Sequence, residues 1–204
     1  MRKIILATLN DNKIKEIKEL LPELKEFLLS PKDFSIYKLP EEKGESYKEN
    51  AYTKALFISE RTGFPSVGED SGLEIKFLNS APGIHSARFG GGIPFSEKMK
   101  IIIEKMKNVP WDERTAEFIC TLAIVLPHKK EEPIFIEGRV KGFIYWEPKG
   151  NNGFGYDPIF YYPPYNRTFG ELSSEEKNKI SHRAQAFLKA KSLLEKIMRG
   201  EEIE

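Results

Sequence analysis

Residues 116–126, Ala-Glu-Phe-Ile-Cys-Thr-Leu-Ala-Ile-Val-Leu, form a long apolar run in the middle of the chain. Its length and its content of β-branched and aromatic residues predict a buried strand. The turn-rich stretch from Pro127 to Pro133 follows, and the alternating residues from Ile134 to Val140 predict a second strand. Gly142 to Trp146 predicts a further short strand. The centre of the chain is therefore expected to build a sheet.

Strand and helix patterns alternate outward from this centre. Residues 3 to 8 predict a short buried strand, and the sequence after Asn10 changes to helical spacing. Leu73 to Phe77 alternates as a half-buried strand does, after a predicted acidic turn at Glu69–Gly72. Three more helices are predicted at about 46–61, 96–107 and 181–198. We therefore expect an α/β protein with a long, mixed, twisted sheet flanked by helices, in one two-lobed domain over residues 1–204.

Composition limits the classes of function. The formal net charge is +1, which lacks the basic excess that non-specific nucleic-acid binding draws on. The apolar run Ile4–Ala7 is too short for a signal peptide or a membrane span. The single cysteine, Cys120, excludes an intramolecular disulfide and fits a reducing cytoplasm. Abundant Lys and Glu with one glutamine, Gln185, favour a thermophilic source as a hypothesis.

The first candidate site is the loop Thr8-Leu9-Asn10-Asp11-Asn12-Lys13. A loop between a strand and a helix can present backbone N–H groups and the positive helix end to a phosphate, and Lys13 would add a charge. The alternative is that Asn10 simply caps the helix while Lys13 is solvated, and the segment alone favours this alternative by about two to one.

The second candidate site is acidic. Glu69-Asp70 and Glu41-Glu42 are adjacent carboxylate pairs, and hard oxygen ligands of this kind suit Mg²⁺ that keeps waters and substrate phosphates as its other ligands. The alternative is an ordinary turn, formed by Asp70-Ser71-Gly72, with exposed acids.

A third and a fourth segment suit a flat base. Gly153-Phe154-Gly155-Tyr156-Asp157 places aromatic rings beside flexible backbone, so that a base can stack on a ring. Lys177, His182 and Arg183 can donate hydrogen bonds to carbonyl oxygens, and Lys and Arg offer no acceptor to an exocyclic amine, which favours a 6-keto purine over adenine. The alternatives are a packed aromatic corner and a helix start that Ser181 caps.

Two other chemistries lack support. A nucleophilic serine would need Ser71 with His182 and Asp157, but the Gly-x-Ser-x-Gly pattern is missing. Zinc would need more ligands than Cys120 and three histidines supply.

Taken in order, these segments resemble the inosine triphosphate pyrophosphatase family, the dITP/XTP pyrophosphatases. The resemblance covers nearly the whole chain. The matching segments are Thr8-x-Asn10-x-x-Lys13-x-x-Glu16, Glu49-Asn50-Ala51-x-x-Lys54-Ala55, Asp70-Ser71-Gly72-Leu73, Ala81-Pro82-Gly83-Ile84-His85-Ser86-Ala87-Arg88, Gly153-Phe154-Gly155-Tyr156-Asp157-Pro158-Ile159-Phe160 and Lys177-x-x-Ile180-Ser181-His182-Arg183.

The resemblance implies a cytoplasmic, Mg²⁺-dependent homodimer that hydrolyses ITP, dITP and XTP to the monophosphate and pyrophosphate, with the active-site cleft between two lobes. From the near-neutral charge and the short N-terminal apolar run, we expect no nucleic-acid or membrane partner. By analogy, residues 8–13 and Lys54 hold the phosphates, Glu41 and Asp70 bind Mg²⁺, and Asp70 also accepts a proton from the attacking water. The remaining residues would contact the substrate: Ser71, Phe154, Gly155, Tyr156, Asp157, Lys177, His182 and Arg183.

Two other functions compete with this expectation. A non-catalytic purine-nucleotide sensor would keep the base pocket but leave the acidic centre idle. An RNA-binding module would use the aromatic and basic residues, and the near-neutral charge disfavours it.

Overall fold

A computed structural model describes residues 1–203 of the chain. Within these residues, strands and helices alternate as in an α/β protein. The strands are β1 (Ile4–Leu6), β2 (Leu28–Leu29), β3 (Ser66–Ile75), β4 (Thr115–Leu126), β5 (Lys129–Ile144), β6 (Phe160–Tyr162) and β7 (Arg167–Thr168). The helices are α1 (Asp11–Leu20), α2 (Tyr47–Thr62), α3 (Phe95–Met106), α4 (Ser174–Lys177) and α5 (His182–Arg199).

The strands form one mixed sheet in the order β2-β1-β3-β4-β5-β6-β7. Strand β1 pairs in parallel with β2 and β3, whereas β6 pairs antiparallel with β5 and β7. The predicted α/β class with a mixed sheet flanked by helices is thereby confirmed. Among residues 1–203, no helix combines the length and the apolar character needed to cross a membrane.

The chain divides into two compact units. The first unit contains Met1–Asp70, Cys120–Gly138 and the chain from His182 onwards, and the second contains Ser71–Ile119 and Arg139–Ser181. Each unit has its own apolar core. In the first, α1 and α5 bury residues such as Ile17 and Phe187 together with β1 and β4. In the second, α3 packs Ile102 among residues of β3, β5 and β6.

Local chemistry sets where the helices begin and end. The Ser46 hydroxyl accepts a hydrogen bond from the Glu49 N–H, as an N-cap residue does at the start of α2. After α5, Gly200 has a φ of +79° and its N–H donates to the Ile197 carbonyl, as a glycine that ends a helix does.

The predicted acidic turn at residues 69–72 is wrong, because these residues lie inside the continuous strand β3. Acidic residues usually favour exposed turns, but here Glu69 and Asp70 are 2% and 4% exposed and have basic partners in the same unit.

Strand β5 also differs from the prediction. It begins at Lys129 and continues to Ile144, so it includes Pro133. It also includes residues 142–144, the first part of the segment that was expected to form a separate strand at 142–146.

Candidate active site

The predicted phosphate loop, residues 8–13, joins β1 to α1 in the first unit. The Asn10 side-chain oxygen accepts hydrogen bonds from the backbone N–H groups of Asn12 at 3.0 Å and Lys13 at 3.3 Å. The Asn10 N–H in turn donates to the Thr8 hydroxyl at 3.2 Å. Asn10 is thus the N-cap of α1, and it fixes the loop so that the Lys13 side chain leaves from the first turn. Thr8 is buried, Leu9 and Lys13 are partly buried, and Asn10, Asp11 and Asn12 are exposed.

A buried ionic cluster joins this first turn to β3 and α5. One oxygen of Glu69, Oε1, lies 3.3 Å from the Lys13 ammonium. The same oxygen accepts hydrogen bonds from Arg183, from Nη2 at 2.7 Å and from Nε at 3.2 Å. The third guanidinium nitrogen, Nη1, donates to Glu16 at 2.6 Å. Since the side chains of Glu69 and Arg183 are both only 2% exposed, two charges are buried here with their partners.

The charges in this cluster hold each other ionised. Burial by itself would raise the pKa of Glu69, but the positive charges of Arg183 and Lys13 outweigh burial and hold that pKa well below its usual range. Burial likewise opposes the charge of Arg183, and Glu69 and Glu16 outweigh it, so the pKa of Arg183 is raised. The cluster therefore keeps a carboxylate and a guanidinium charged in the core of the first unit.

The acidic centre is built where α2 approaches β3. A Cβ on Gly68 would lie 1.9 Å from the Ala51 carbonyl oxygen, so only glycine allows the helix this close to the strand. Asn50 and Lys54 lie four residues apart and thus on one side of α2. The Asn50 amide donates to Asp70 at 3.0 Å, and the Lys54 ammonium lies 3.6 Å from the other Asp70 oxygen. The close packing at Gly68 thereby brings an amide and an ammonium group to the Asp70 carboxylate.

Of the two acids before α2, Glu42 and not Glu41 reaches this centre. Glu42 forms an ion pair with Lys54 at 2.5 Å, and the Lys54 ammonium thus lies between Glu42 and Asp70. Glu41 is mostly exposed and pairs with Lys43 at 2.9 Å. Glu41 as a metal ligand stays a prediction, and Glu42 is the residue of this pair that shares a cation with Asp70.

The pKa of Asp70 is raised above its usual value. Burial is the largest cause, and the negative charge of Glu42 acts in the same direction. Lys54 and the Asn50 hydrogen bond act in the opposite direction without cancelling the rise. A carboxylate with a raised pKa is a better proton acceptor, which is the property that a general base needs.

These groups suit a divalent cation that is bound mainly through its substrate. Among residues 1–203, no group of three or more acidic, histidine or cysteine side chains forms a protein cage for a metal. Mg²⁺ commonly uses only one or two carboxylates and completes its shell with water and phosphate oxygens. Glu42 and Asp70, which share the Lys54 cation, fit that donor set.

The aromatic segment 153–157 forms a tight turn in the second unit. Gly153 and Gly155 have φ angles of +71° and +67°, and a Cβ on Gly153 would lie 2.1 Å from the Asp157 carboxylate. That carboxylate accepts hydrogen bonds from the Phe154 N–H at 2.8 Å and from the Lys177 ammonium at 2.6 Å. The ammonium also lies 5.0 Å from the centre of the Phe154 ring. Asp157 therefore fixes the positions of both the ring and the cation.

Tyr156 supports this turn from the inside of the second unit. It is 3% exposed, its hydroxyl donates to the Ser86 carbonyl at 2.9 Å, and its ring packs edge-on against Phe95. Burial raises the pKa of the Tyr156 hydroxyl. The side chain of Tyr156 is thus a structural part of the turn, unlike the partly buried Phe154.

The start of α5 is fixed by another close backbone approach. A Cβ on Gly138 in β5 would lie 2.1 Å from the His182 carbonyl oxygen, so the first turn of α5 lies directly against this strand. Ser181 and His182 are both buried. Ser71 follows Asp70 in β3 and is partly buried.

Two residues of these clusters have no predicted role, although their spacing along the helices is informative. Glu16 lies three residues after Lys13 on α1, and Asn50 lies four residues before Lys54 on α2, so each shares a helix face with a predicted phosphate ligand. Same-face spacing thus indicates the neighbours, but only the fold shows which carboxylate or guanidinium they contact.

Known proteins resemble this chain over nearly its whole length. The dITP/XTP pyrophosphatase of Dictyoglomus thermophilum is 48% identical over 99% of this chain and 98% of its own. That of Clostridium perfringens is 42% identical over 98% of this chain and 100% of its own. The solved structure of a HAM1 protein from Coxiella burnetii superposes with a TM-score of 0.87 at 39% identity, covering 96% of this chain and 100% of that one. The resemblance expected from the motifs is confirmed, and since the Ham1 family model also matches residues 4–193, the chain belongs to the Ham1 family.

Proposed function

We propose that this protein hydrolyses deaminated purine nucleoside triphosphates, namely ITP, dITP and XTP, to the nucleoside monophosphate and pyrophosphate. Relatives of up to 48% identity carry the name dITP/XTP pyrophosphatase. The single observation that supports catalysis most directly is Asp70, a buried carboxylate with a raised pKa that is held between an amide and an ammonium group. Such a reaction would remove deaminated nucleotides from the nucleotide pool.

Residues 8–13 and Lys54 would bind the phosphates. Lys13 leaves the first turn of α1, where the helix dipole also favours an anion. Lys54 would exchange part of its pairing with Glu42 and Asp70 for phosphate oxygens. Both lysines would offset the negative charge of the triphosphate.

Asp70 would accept a proton from the attacking water, and Asp70 and Glu42 would bind Mg²⁺. We assign the second carboxylate to Glu42 in place of Glu41, because Glu42 shares the Lys54 cation with Asp70. A bound Mg²⁺ supplies Lewis-acid stabilisation of charge on the phosphate oxygens. Asn50 would orient the Asp70 carboxylate through its hydrogen bond.

Phe154 would stack on the base, and Gly155 and Asp157 would shape the turn around it. Lys177, which Asp157 holds at 2.6 Å, is a donor without an acceptor and therefore suits the 6-keto oxygen of hypoxanthine or xanthine. Adenine presents an amine at that position, and Lys177 cannot accept the hydrogen bond that this amine would donate. Ser71 and His182 would complete the contacts to the substrate.

A substrate panel tests this function. The protein is incubated with ITP, dITP, XTP, ATP and GTP plus Mg²⁺, and pyrophosphate release is measured. We expect rapid release from ITP, dITP and XTP and slow release from ATP, whose base has an amine in place of the 6-keto oxygen. Guanine also has a 6-keto oxygen, so the GTP rate measures whether the site discriminates at position 2 of the base. Binding of ITP without turnover would instead support the sensor, which neither the relatives nor the arrangement around Asp70 favours.

We also propose that the protein is a cytoplasmic homodimer that acts on a free nucleotide and not on nucleic acid or membrane. Light scattering coupled to gel filtration should give twice the mass of the 204-residue chain. The high Lys and Glu content with a single glutamine further suggests thermal stability. Cooperative melting within the mesophilic range of about 45 to 65 °C would contradict that suggestion.

A further inference from the structure

Residues 81–88 form the one segment of the family resemblance to which the proposed function gives no task. Within it, Ser86 is 6% exposed, and its hydroxyl accepts a hydrogen bond from the Leu73 N–H of β3 at 2.9 Å. The Ser86 carbonyl accepts another from the Tyr156 hydroxyl at 2.9 Å. Tyr156 belongs to the base turn, our name for residues 153–157. Ser86 thus links β3 to the base turn within the second unit.

A buried lysine of α3 also holds this segment. Lys98 is 3% exposed, and its ammonium donates to the Ala87 carbonyl of the segment at 2.5 Å. The same ammonium lies 4.8 Å from the centre of the Phe95 ring. That ring packs edge-on against Tyr156 with 5.1 Å between the ring centres, and a Cβ on Gly155 would lie 3.7 Å from it. Lys98 therefore reaches the base turn by two routes, through the segment and through Phe95.

We propose that Lys98 is a positioning residue for the base turn, and that it sets how tightly the protein binds the base of its substrate. Lys98 lies outside the six segments that carry the family resemblance. It acts on the base through its neighbours in the second unit and not by touching the nucleotide. The inference rests on the proposed function in one respect, because it takes Phe154 of the base turn as the ring that stacks on the base.

A turn that is fixed in advance binds a base more tightly than a mobile one. The two glycines of the base turn have positive φ angles, so its backbone has much conformational freedom to lose. Asp157 restrains the turn through a backbone N–H, and Tyr156 restrains it through its hydroxyl. Without the Lys98 ammonium, Phe95 and the carbonyl that receives the Tyr156 hydrogen bond both lose support. The base must then order the turn as it binds, and that entropic cost lowers its affinity.

Two products of the proposed reaction separate the base from the phosphates, because IMP carries the base and inorganic pyrophosphate has none. Their affinities in the presence of Mg²⁺ are measured by calorimetry for the wild type, Lys98→Met and Tyr156→Phe. Lys98→Met keeps an unbranched side chain without the charge, and Tyr156→Phe removes only a hydroxyl. We expect each variant to weaken IMP binding by about three- to ten-fold, as the loss of one buried hydrogen bond does, with pyrophosphate affinity unchanged. KM for ITP should rise by a similar factor while kcat stays constant.

The double variant shows whether both residues act on the same turn. Since Lys98 and Tyr156 hold one segment, the protein with both substitutions should lose less IMP affinity than the product of the two single effects. Losses that simply multiply would overturn the positioning role, because Lys98 would then act independently of the base turn.

Two matched controls make the test specific. Lys100→Met removes an exposed lysine from the same helix, where it pairs with Glu97. Tyr161→Phe removes a tyrosine hydroxyl of the same unit that donates to Asn166. Both controls should bind IMP and pyrophosphate as the wild type does.

Wild-type IMP affinity in Lys98→Met would overturn the inference, and so would an equal loss of IMP and pyrophosphate affinity. A lower melting temperature with normal IMP affinity would show a merely structural lysine; because Lys98→Met removes a buried charge, stability need not fall together with affinity. Tyr156→Phe tests the same link from its other end even where Lys98→Met folds poorly. A failure of the proposed reaction is distinguishable, because the wild type would then bind IMP more tightly than Lys98→Met without hydrolysing ITP. Wild-type protein that does not bind IMP would refute the base site and with it the inference.

Discussion

The contact between Gly68 and α2 should control both stability and turnover, and Gly68→Ala tests this directly. The added Cβ would lie 1.9 Å from the Ala51 carbonyl oxygen and 3.0 Å from the Ala55 nitrogen. Since Cβ contacts below 3.0 Å are essentially never seen, helix and strand must separate by roughly 1 Å. The neighbouring atom is backbone, so no flexible side chain can absorb the shift.

The separation would act on both partners of Asp70, because Asn50 and Lys54 are on the displaced helix. The Asn50 hydrogen bond, now 3.0 Å, would stretch beyond ordinary hydrogen-bond range. A displacement of about 1 Å at a reacting group can lower turnover by about 10²-fold. Overpacking of this kind costs about 1 to 3 kcal/mol of folding free energy.

Pyrophosphate release from ITP and thermal unfolding measure the two effects of Gly68→Ala. We expect kcat to fall by about 10²-fold and the melting temperature to fall by roughly 2 to 4 °C for each kcal/mol lost. Gly92→Ala is the matched control, because a Cβ at Gly92 meets nothing within 4 Å. A Gly68→Ala protein with wild-type turnover and melting temperature would refute the argument that this glycine sets the geometry of the acidic centre.

Three further predictions follow from single residues. Asp70→Asn should lower turnover by about 10² to 10⁴-fold with no loss of melting temperature, since it removes a base but also a buried charge; near-normal pyrophosphate release would contradict the role of Asp70. Burial raises the pKa of the Cys120 thiol well above its usual value, so a thiol reagent at pH 8 should label the denatured protein only; rapid labelling of the native protein would be inconsistent with this. The Arg167 hydrogen bond lowers the pKa of Glu176 to about 2, so its stabilising effect is complete above the unfolded pKa of about 4.3 and is lost as the pH falls toward 2. The difference in free energy of unfolding between wild type and Glu176→Gln should therefore shrink over that pH range, and a constant difference in urea titrations would disprove the assignment.

The periodic parts of the fold are predictable from the sequence because each element carries its own pattern. The apolar run at 116–126 becomes β4 with one added residue, and the helical spacing at 46–61 becomes α2 shifted by a single residue. The short strand β2, two residues long, has no pattern of its own and exists through pairing with β1. Elements of that length depend on tertiary contacts, which a local pattern does not contain.

The prediction of an acidic turn at residues 69–72 failed for a related reason. Glu69 and Asp70 have the composition of an exposed turn, and their burial in β3 is stabilised by cations from other elements. Those cations are distant in sequence: Arg183 is 114 positions from Glu69. The local sequence shows that burying these carboxylates would cost desolvation energy. It does not show which distant cation offsets that cost.

The same limitation affects the role of Arg183 in the motif Ser181-His182-Arg183. Residue type shows that Arg183 can donate to a carbonyl oxygen, and this property predicts base recognition. A guanidinium also pairs well with carboxylates, and which acceptor it meets depends on where α1 and β3 place Glu16 and Glu69. Because these two acids lie on α1 and β3, far from Arg183 in sequence, the acceptors of the guanidinium become visible only in the fold, where they hold it in the core of the first unit.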